Sequence, residues 1–176
     1  MKDILRRHSV LQDEVVDIIN KQIKMEAQSS AAYLAMAAWC DKAGYDNCAE
    51  HFFKQSDQER EHQMKFFHYL VDMECDAVSP SVGDSQHEFD KLRSVFEKQL
   101  EMEIAVTDSI HDMVRVVRKV GDIATEEFLR WFVTEQIEEE YVARRCLELF
   151  DVLGEDKVGL GMVEERILDI EYDAGE

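Results

Sequence analysis

The sequence predicts an all-α fold: a four-helix bundle with one long crossover between the second and third helices and a short fifth helix near the C-terminus. Three observations predict the bundle. Proline occurs once and glycine seven times in 176 residues, so helix breakers are scarce and long helices are the default. Apolar residues recur every three or four positions over four stretches of about thirty residues each, the period of a helix with one buried face. Only residues 75–87, CDAVSPSVGDSQH, break the pattern, with the single proline, a glycine and three serines.

At this length the chain reads as one domain over 1–176 with a core of ordinary size. The first helix is expected over about 10–42. Ser9 with Gln12 three residues on reads as a capping box, Val15, Ile19, Ile23, Tyr33 and Ala37 keep the period, and Gly44 stops it. Asp46 or Asn47 caps the second, over about 46–74, whose inward face carries Phe52, Phe66 and Leu70. Fully extended, the thirteen residues of 75–87 reach ~43 Å, and a helix of about 29 residues is equally long. The connection can therefore run the whole length of a bundle. A third helix is expected over about 88–120, ending at Gly121, and a fourth over about 123–153, ending at Gly154. Short first and third links with a long second one make two antiparallel hairpins joined by a crossover. After a loop at 154–161, residues 162–172 (MVEERILDIEY) place Val163, Ile167 and Ile170 at helical spacing. This fifth helix is too short to stand alone and must dock on something.

The charge balance narrows the partners. Thirty-nine acidic against twenty basic residues, a net charge of −19, argue against nucleic acid or an anionic membrane surface and for cations. Cys40, Cys48, Cys75 and Cys146 form no C-x-x-C pair and read as reduced thiols of a cytosolic protein. MKDILRRHSVLQDEVV at the start has no apolar stretch behind its basic residues, and the longest apolar run, Ala31 to Cys40, is too short to span a bilayer. A cytoplasmic location is the expectation.

The chemistry lies where a bundle should be apolar. In WFVTEQIEEEY, residues 131–141, Glu135, Glu138 and Glu139 are spaced i, i+3 and i+4 and share a helix face with Phe128, Trp131, Phe132, Val142, Cys146 and Leu149. Three carboxylates on an inward stripe repel each other and lose hydration, a cost of several kcal/mol per uncompensated ion. A cation among them would offset it. Glu59 and His62 form a Glu-x-x-His pair on the second helix; Glu26 lies between Ile23 and Tyr33 on the first, and Glu103 between Leu100 and Val106 on the third. Each of these acids falls near the midpoint of its own helix, and midpoints meet in one layer of an up-down bundle whichever way each helix runs. Glu26, Glu59, His62, Glu103, Glu135 and Glu139 are thus expected to converge. Five carboxylates and one imidazole make a hard, oxygen-rich site suited to two iron or manganese ions. Buried acids sharing protons without metal are the alternative at this point.

Together, Met25-Glu26-Ala27-Gln28-Ser29-Ser30 leading to Tyr33, the Glu59 to His62 pair running into Phe67-His68-Tyr69-Leu70, Glu103, and Trp131 to Glu140 resemble the ferritins, most closely the non-haem bacterial ferritins. The resemblance covers nearly the whole chain. It implies a ferroxidase centre in which Glu26, Glu59 and His62 hold a first iron, and Glu59 bridges to a second held also by Glu103 and Glu139. It further implies Gln136 as a hydrogen-bond partner for bound oxygen, Tyr33 beside the centre as hydrogen-bond donor or electron source, and a third iron site drawing on Glu135, Glu138 and Glu139. Gln58 stands where that third site would have a carboxylate, and an amide is the weaker ligand. Trp131 is expected to pack in the core first and to act in electron transfer second. Bacterioferritins place a haem-ligating methionine where this chain has Arg60, so no haem is expected. Rubrerythrins carry paired C-x-x-C motifs that are absent here.

The implied function is iron storage: Fe(II) oxidised to Fe(III) by dioxygen or hydrogen peroxide and mineralised inside a 24-subunit homo-oligomeric cage, with the fifth helix at its fourfold axes. A di-iron oxidase or peroxidase without storage, or a non-catalytic interaction bundle, are the competing classes. Mineral in a large particle separates the first from storage; ferrous titration without ferric product would favour the second.

Overall fold

The computed structural model describes residues 11–173. Four long helices and a short one follow in order: α1 Asp13–Ala43, α2 Asp46–Asp72, α3 Leu92–Val120, α4 Ile123–Leu153 and α5 Lys157–Arg166, the last continued by a 3₁₀ turn at Ile167–Asp169. Helix α1 packs along α2 and α3 along α4, and the two hairpins meet along α1 and α3. No helix among the described residues is long and apolar enough to cross a membrane.

The tight links depend on glycine. Gly44 (φ +84°) and Gly121 (φ +73°) take the left-handed conformation that ends α1 and α3, each donating its N–H back into the last turn. Two residues then suffice to reverse the chain. At the start of α1, Ser9, expected to cap the helix, lies outside the described residues, and the N-cap position is taken by Gln12 without a side-chain cap. The helix begins at Asp13, with Asp13 and Glu14 in the first turn where they favour the positive end of the helix dipole.

The crossover is longer than expected, because α3 begins at Leu92 instead of residue 88, and the chain from Met73 to Lys91 runs outside the helices. Two side-chain amides of α1 pin it. Asn20 donates to Asp76 O (2.9 Å) and accepts from Val78 N (2.8 Å), and Gln28 accepts from Gly83 N (2.8 Å). Trp39 then meets Phe89 edge-on at 5.8 Å. These anchors fall in order along α1, so the segment runs beside it from one end of the bundle toward the other.

Helix α5 also begins earlier than its periodicity suggests. Asp156 caps it, accepting from Val158 N (3.0 Å) and Gly159 N (2.8 Å). Gly159 lies inside the helix, where a Cβ would come 2.4 Å from Leu153 O, so the glycine marks close backbone packing and not a loop. The helix docks on its own bundle. Val163 and Ile167 are buried, and the Glu164 carboxylate accepts from the backbone N–H groups of Asn47 and Cys48 (3.1 Å for the latter), while Asn47 Nδ2 donates to Glu164 O at 3.0 Å. The first turn of α2 has no cap of its own, and Glu164 supplies one.

Two apolar clusters fill the bundle, one toward each end. One gathers Tyr33, Met36, Cys40, Cys48, Phe52, Phe96, Cys146, Phe150 and Val163; the other gathers Val15, Ile19, Ile23, Phe66, Leu70, Ile110, Val117, Leu129 and Phe132. None of the four cysteines forms a disulfide; burial pushes Cys40 and Cys146 up to about 12.

Candidate metal centre

Between the two apolar clusters every long helix contributes buried polar side chains: Gln22 and Glu26 from α1, Gln55, Glu59 and His62 from α2, Gln99 and Glu103 from α3, Gln136 and Glu139 from α4. Glu26 is fully buried, and Glu59, Glu103 and Glu139 are 5 %, 1 % and 5 % exposed. The layer is where the four midpoints were expected to meet.

Ligand atoms of Glu26, Glu59 and His62 all lie within 4.8 Å of one another, and so do those of His62, Glu135 and Glu139. His62 stands between the groups, with Nδ1 3.4 Å from Glu59 Oε2 and Nε2 3.7 Å from Glu135 Oε1. Glu103 belongs to neither group; it accepts a short hydrogen bond from the Tyr33 hydroxyl. Three carboxylate oxygens, Glu26 Oε2, Glu59 Oε2 and Glu103 Oε2, are buried without a hydrogen-bond partner. An orphaned buried acceptor costs about 1–3 kcal/mol, so three in one layer call for protons or cations.

The acidities agree. Burial first, then the neighbouring charge of Glu59, holds Glu26 well above the ordinary carboxylate range. Burial and then the charge of Glu103 raise Glu59, and burial and then that of Glu139 raise Glu103. Burial lifts Glu139 to about 7, against the lowering effects of His62 and Gln55. Tyr33 is raised by burial and by Glu103, which keeps its phenol protonated. Without a cation these carboxyls bind protons; a divalent ion would replace those protons and favour the ionised forms.

Two features of α4 differ from the expected stripe. Trp131 is 41 % exposed; its ring and that of His62 meet in a T-shaped contact with centroids 5.5 Å apart, and Lys65 Nζ lies 4.1 Å from its centroid. The inward place goes to Phe132, stacked on Phe66 at 3.9 Å. Glu138 is likewise exposed, outside both carboxylate groups. It lines a cleft with Gln55, Gln58, Glu139 and Glu171, and desolvation and Glu135 raise its pKa. The cause is register: the buried positions of α4 are 125, 129, 132, 136, 139, 143, 146 and 150, a stripe of helical period that leaves 131 and 138 at its flank. Glu135 is half-buried at its edge.

Sequence reasoning passed over a second layer of amides. Gln22 Nε2 donates to Glu26 at 2.8 Å, and its own oxygen accepts from Ser109 at 2.5 Å. Gln55 donates to Glu139 (3.3 Å) and Gln58 (2.8 Å), and accepts from Gln99 (3.1 Å), whose oxygen meets His51 Nε2 at 3.1 Å. The signal was present. Gln22, Gln55 and Gln99 each precede a buried glutamate by four residues on the same helix face.

A profile of the ferritin-like domain matches residues 16–152. The chain belongs to the ferritin-like family. This ferritin-like chain is 33 % identical over 158 residues (90 % of its length, 96 % of the relative's) to a probable bacterial non-heme ferritin-like protein of Haemophilus influenzae. It is 30 % identical over 167 residues, 95 % of this chain and all of the relative, to a bacterial non-heme ferritin of Staphylococcus saprophyticus. Among solved structures, an open-pore ferritin of the archaeon Archaeoglobus fulgidus superposes with a TM-score of 0.87 at 31 % identity, over 89 % of this chain and 97 % of that one. A closed form of that ferritin engineered by site-directed mutagenesis superposes at 0.86 with 29 % identity, over 93 % and 99 % of the two chains. The all-α bundle with its crossover and short fifth helix is thus a ferritin fold, and its midpoint carries carboxylate and histidine groups that could hold metal.

Proposed function

We propose that this chain is an iron-storage ferroxidase that oxidises Fe(II) to Fe(III) with dioxygen or hydrogen peroxide and stores the product as a ferric mineral inside a cytoplasmic homo-oligomeric cage of 24 subunits. The observation that carries the reading is the set of three orphaned carboxylate oxygens, on Glu26, Glu59 and Glu103, buried in one layer beside His62. Ferrous iron is the substrate. Glu26, Glu59 and His62 hold one ion; Glu59, Glu103 and Glu139 hold the second. Each ferrous ion gives up one electron, and the pair reduces dioxygen to peroxide or peroxide to water. Ionised carboxylates favour the higher charge of the ferric product, and their freedom to bind through one or two oxygens accommodates the change of radius. Tyr33, protonated and bonded to Glu103, is placed to supply a proton or an electron. Gln136 is a hydrogen-bond donor for the oxidant. With Glu138 exposed and an amide at Gln58, a third ion beside Glu135 and Glu139 is held weakly. No haem takes part.

Aerobic ferrous titration tests the reading. The wild type is expected to give ferric absorbance faster than a protein-free control. Glu59→Ala with His62→Ala is expected to lose the fast phase while the assembly keeps its size by gel filtration. A wild type no faster than the control would contradict the proposal.

A further inference from the structure

Two buried carboxylates of the layer are held from behind by hydrogen-bond chains to which the proposed chemistry gives no role. The shorter chain runs from α3 to α1: the Ser109 hydroxyl donates to Gln22 Oε1 (2.5 Å), and Gln22 Nε2 donates to Glu26 Oε1 (2.8 Å). The longer one crosses three helices. His51 of α2 meets Gln99 Oε1 of α3 through Nε2 (3.1 Å), Gln99 Nε2 returns to Gln55 Oε1 on α2 (3.1 Å), and Gln55 Nε2 donates to Glu139 Oε2 on α4 (3.3 Å). Gln22, His51, Gln55 and Gln99 are all buried. Packing alone needs none of them, since exchanging a bonded buried pair for apolar side chains of similar shape is close to neutral for folding.

Both chains have a direction. An amide carries its donor and its acceptor on different atoms, so a glutamine that turns its N–H to a carboxylate turns its oxygen to the next donor behind. In the longer chain this fixes the far end: Gln99 Oε1 takes a donor, and His51 supplies it as the Nε2–H tautomer. Every link then donates toward the carboxylate, the polarity that suits an ionised ligand. Each chain also occupies one oxygen of its carboxylate. With Glu26 Oε1 taken, Oε2 is left buried without a partner; with Glu139 Oε2 taken, Oε1 is the oxygen left for an ion. The chains do not merge: among the described residues no hydrogen bond joins one to the other.

We propose that the two chains are separate positioning devices, one for each ion: Ser109 and Gln22 aim the free oxygen of Glu26 at the first ion, and His51, Gln99 and Gln55 aim that of Glu139 at the second. Glu26 serves the first ion alone and Glu139 the second alone, so each chain sets the affinity of one position. A carboxylate already held at one oxygen gives up less freedom when it takes an ion at the other. His51 thereby acts on the second position from three hydrogen bonds away. The proposal rests on the ferroxidase reading, and its test separates the two.

Crystals of the metal-free protein soaked over a series of Co(II) concentrations report each position without turnover, its occupancy read from anomalous scattering. Gln22→Met is expected to raise the Co(II) concentration that half-fills the first position about five-fold, the worth of one hydrogen bond, and to leave the second unchanged. His51→Phe is expected to do the reverse. Its ring replaces an imidazole already packed on Phe52 and Phe96, with centroids 5.0 and 5.7 Å away, so the core is kept. His51→Gln, which retains an N–H for Gln99 Oε1, is expected to hold the second position at the wild-type value. A merely structural role would move both positions or neither. Equal weakening of both positions, no change in either, or a His51→Gln as weak at the second position as His51→Phe overturns the proposal alone. A wild type that takes up no ion in the layer overturns the ferroxidase reading and takes this one with it.

Discussion

On the proposed function each inward glutamate carries a dual burden: its site binds a cation, and without one it holds a proton inside an apolar bundle. Glu26→Gln and Glu103→Gln replace a protonated carboxyl with a neutral amide of the same shape. Each is expected to raise the thermal midpoint of the metal-free protein near pH 7.5, worth about 1–3 kcal/mol, while weakening cation binding. Calorimetry of the metal-free variants checks it. His51 gives a pH dependence of opposite sign to the carboxyls. Burial, reinforced by Lys54, lowers it from 6.5 to about 4. As pH falls through that window the unfolded chain takes up a proton that the folded chain refuses, so stability is lost on acidification, by on the order of 3 kcal/mol at the acid end. The raised carboxyls instead lose stability as pH rises. Denaturant unfolding of wild type against His51→Gln isolates the histidine: the variant is expected to show the shallower loss between pH 6.5 and 4. At this scale the sequence was legible wherever an acid sat on an apolar stripe, as at Glu26, Glu59, Glu103 and Glu139. It was misread where two adjacent residues competed for one inward place, as Trp131 did with Phe132 and Glu138 with Glu139, since a one-position difference in register is smaller than the width of an apolar face.

The element that sequence reasoning placed least well is α5. Its glycines look like loop residues until the backbone of Leu153 and Gly154 is seen to press on Gly159, a contact that no periodicity encodes. Likewise Glu164 reads as an exposed acid, yet it caps α2 from the other end of the chain. Glu164→Ala is expected to cost about 1–2 kcal/mol, the usual worth of a helix N-cap, and to speed amide exchange at Asn47 and Cys48 by roughly ten-fold. Hydrogen exchange followed by mass spectrometry measures this; unchanged exchange at those amides would show that α2 does not depend on α5. The crossover was easier to anticipate because its length and its proline announce it, although the amides of Asn20 and Gln28 that hold it down look like ordinary surface residues.

Across the molecule, one pattern recurs on all four long helices: an apolar end, a polar middle, an apolar end. The midpoint argument recovered it because antiparallel helices of similar length bring their centres together in any bundle of this connectivity. It could not tell which ligand atoms come within reach of one ion, since that depends on rotamers, and the placement of His62 between Glu59 and Glu135 emerged only from the structure. If cations complete the layer, the metal-free protein melts below the loaded one and recovers on adding a divalent ion, by an amount that grows with ion concentration. The most direct measurement is an anomalous difference map from crystals soaked anaerobically in ferrous iron. The account predicts two peaks inside the bundle, within bonding distance of Glu26, Glu59, His62, Glu103 and Glu139. Peaks confined to the exposed cleft at Glu138, or none in the buried layer, would contradict it.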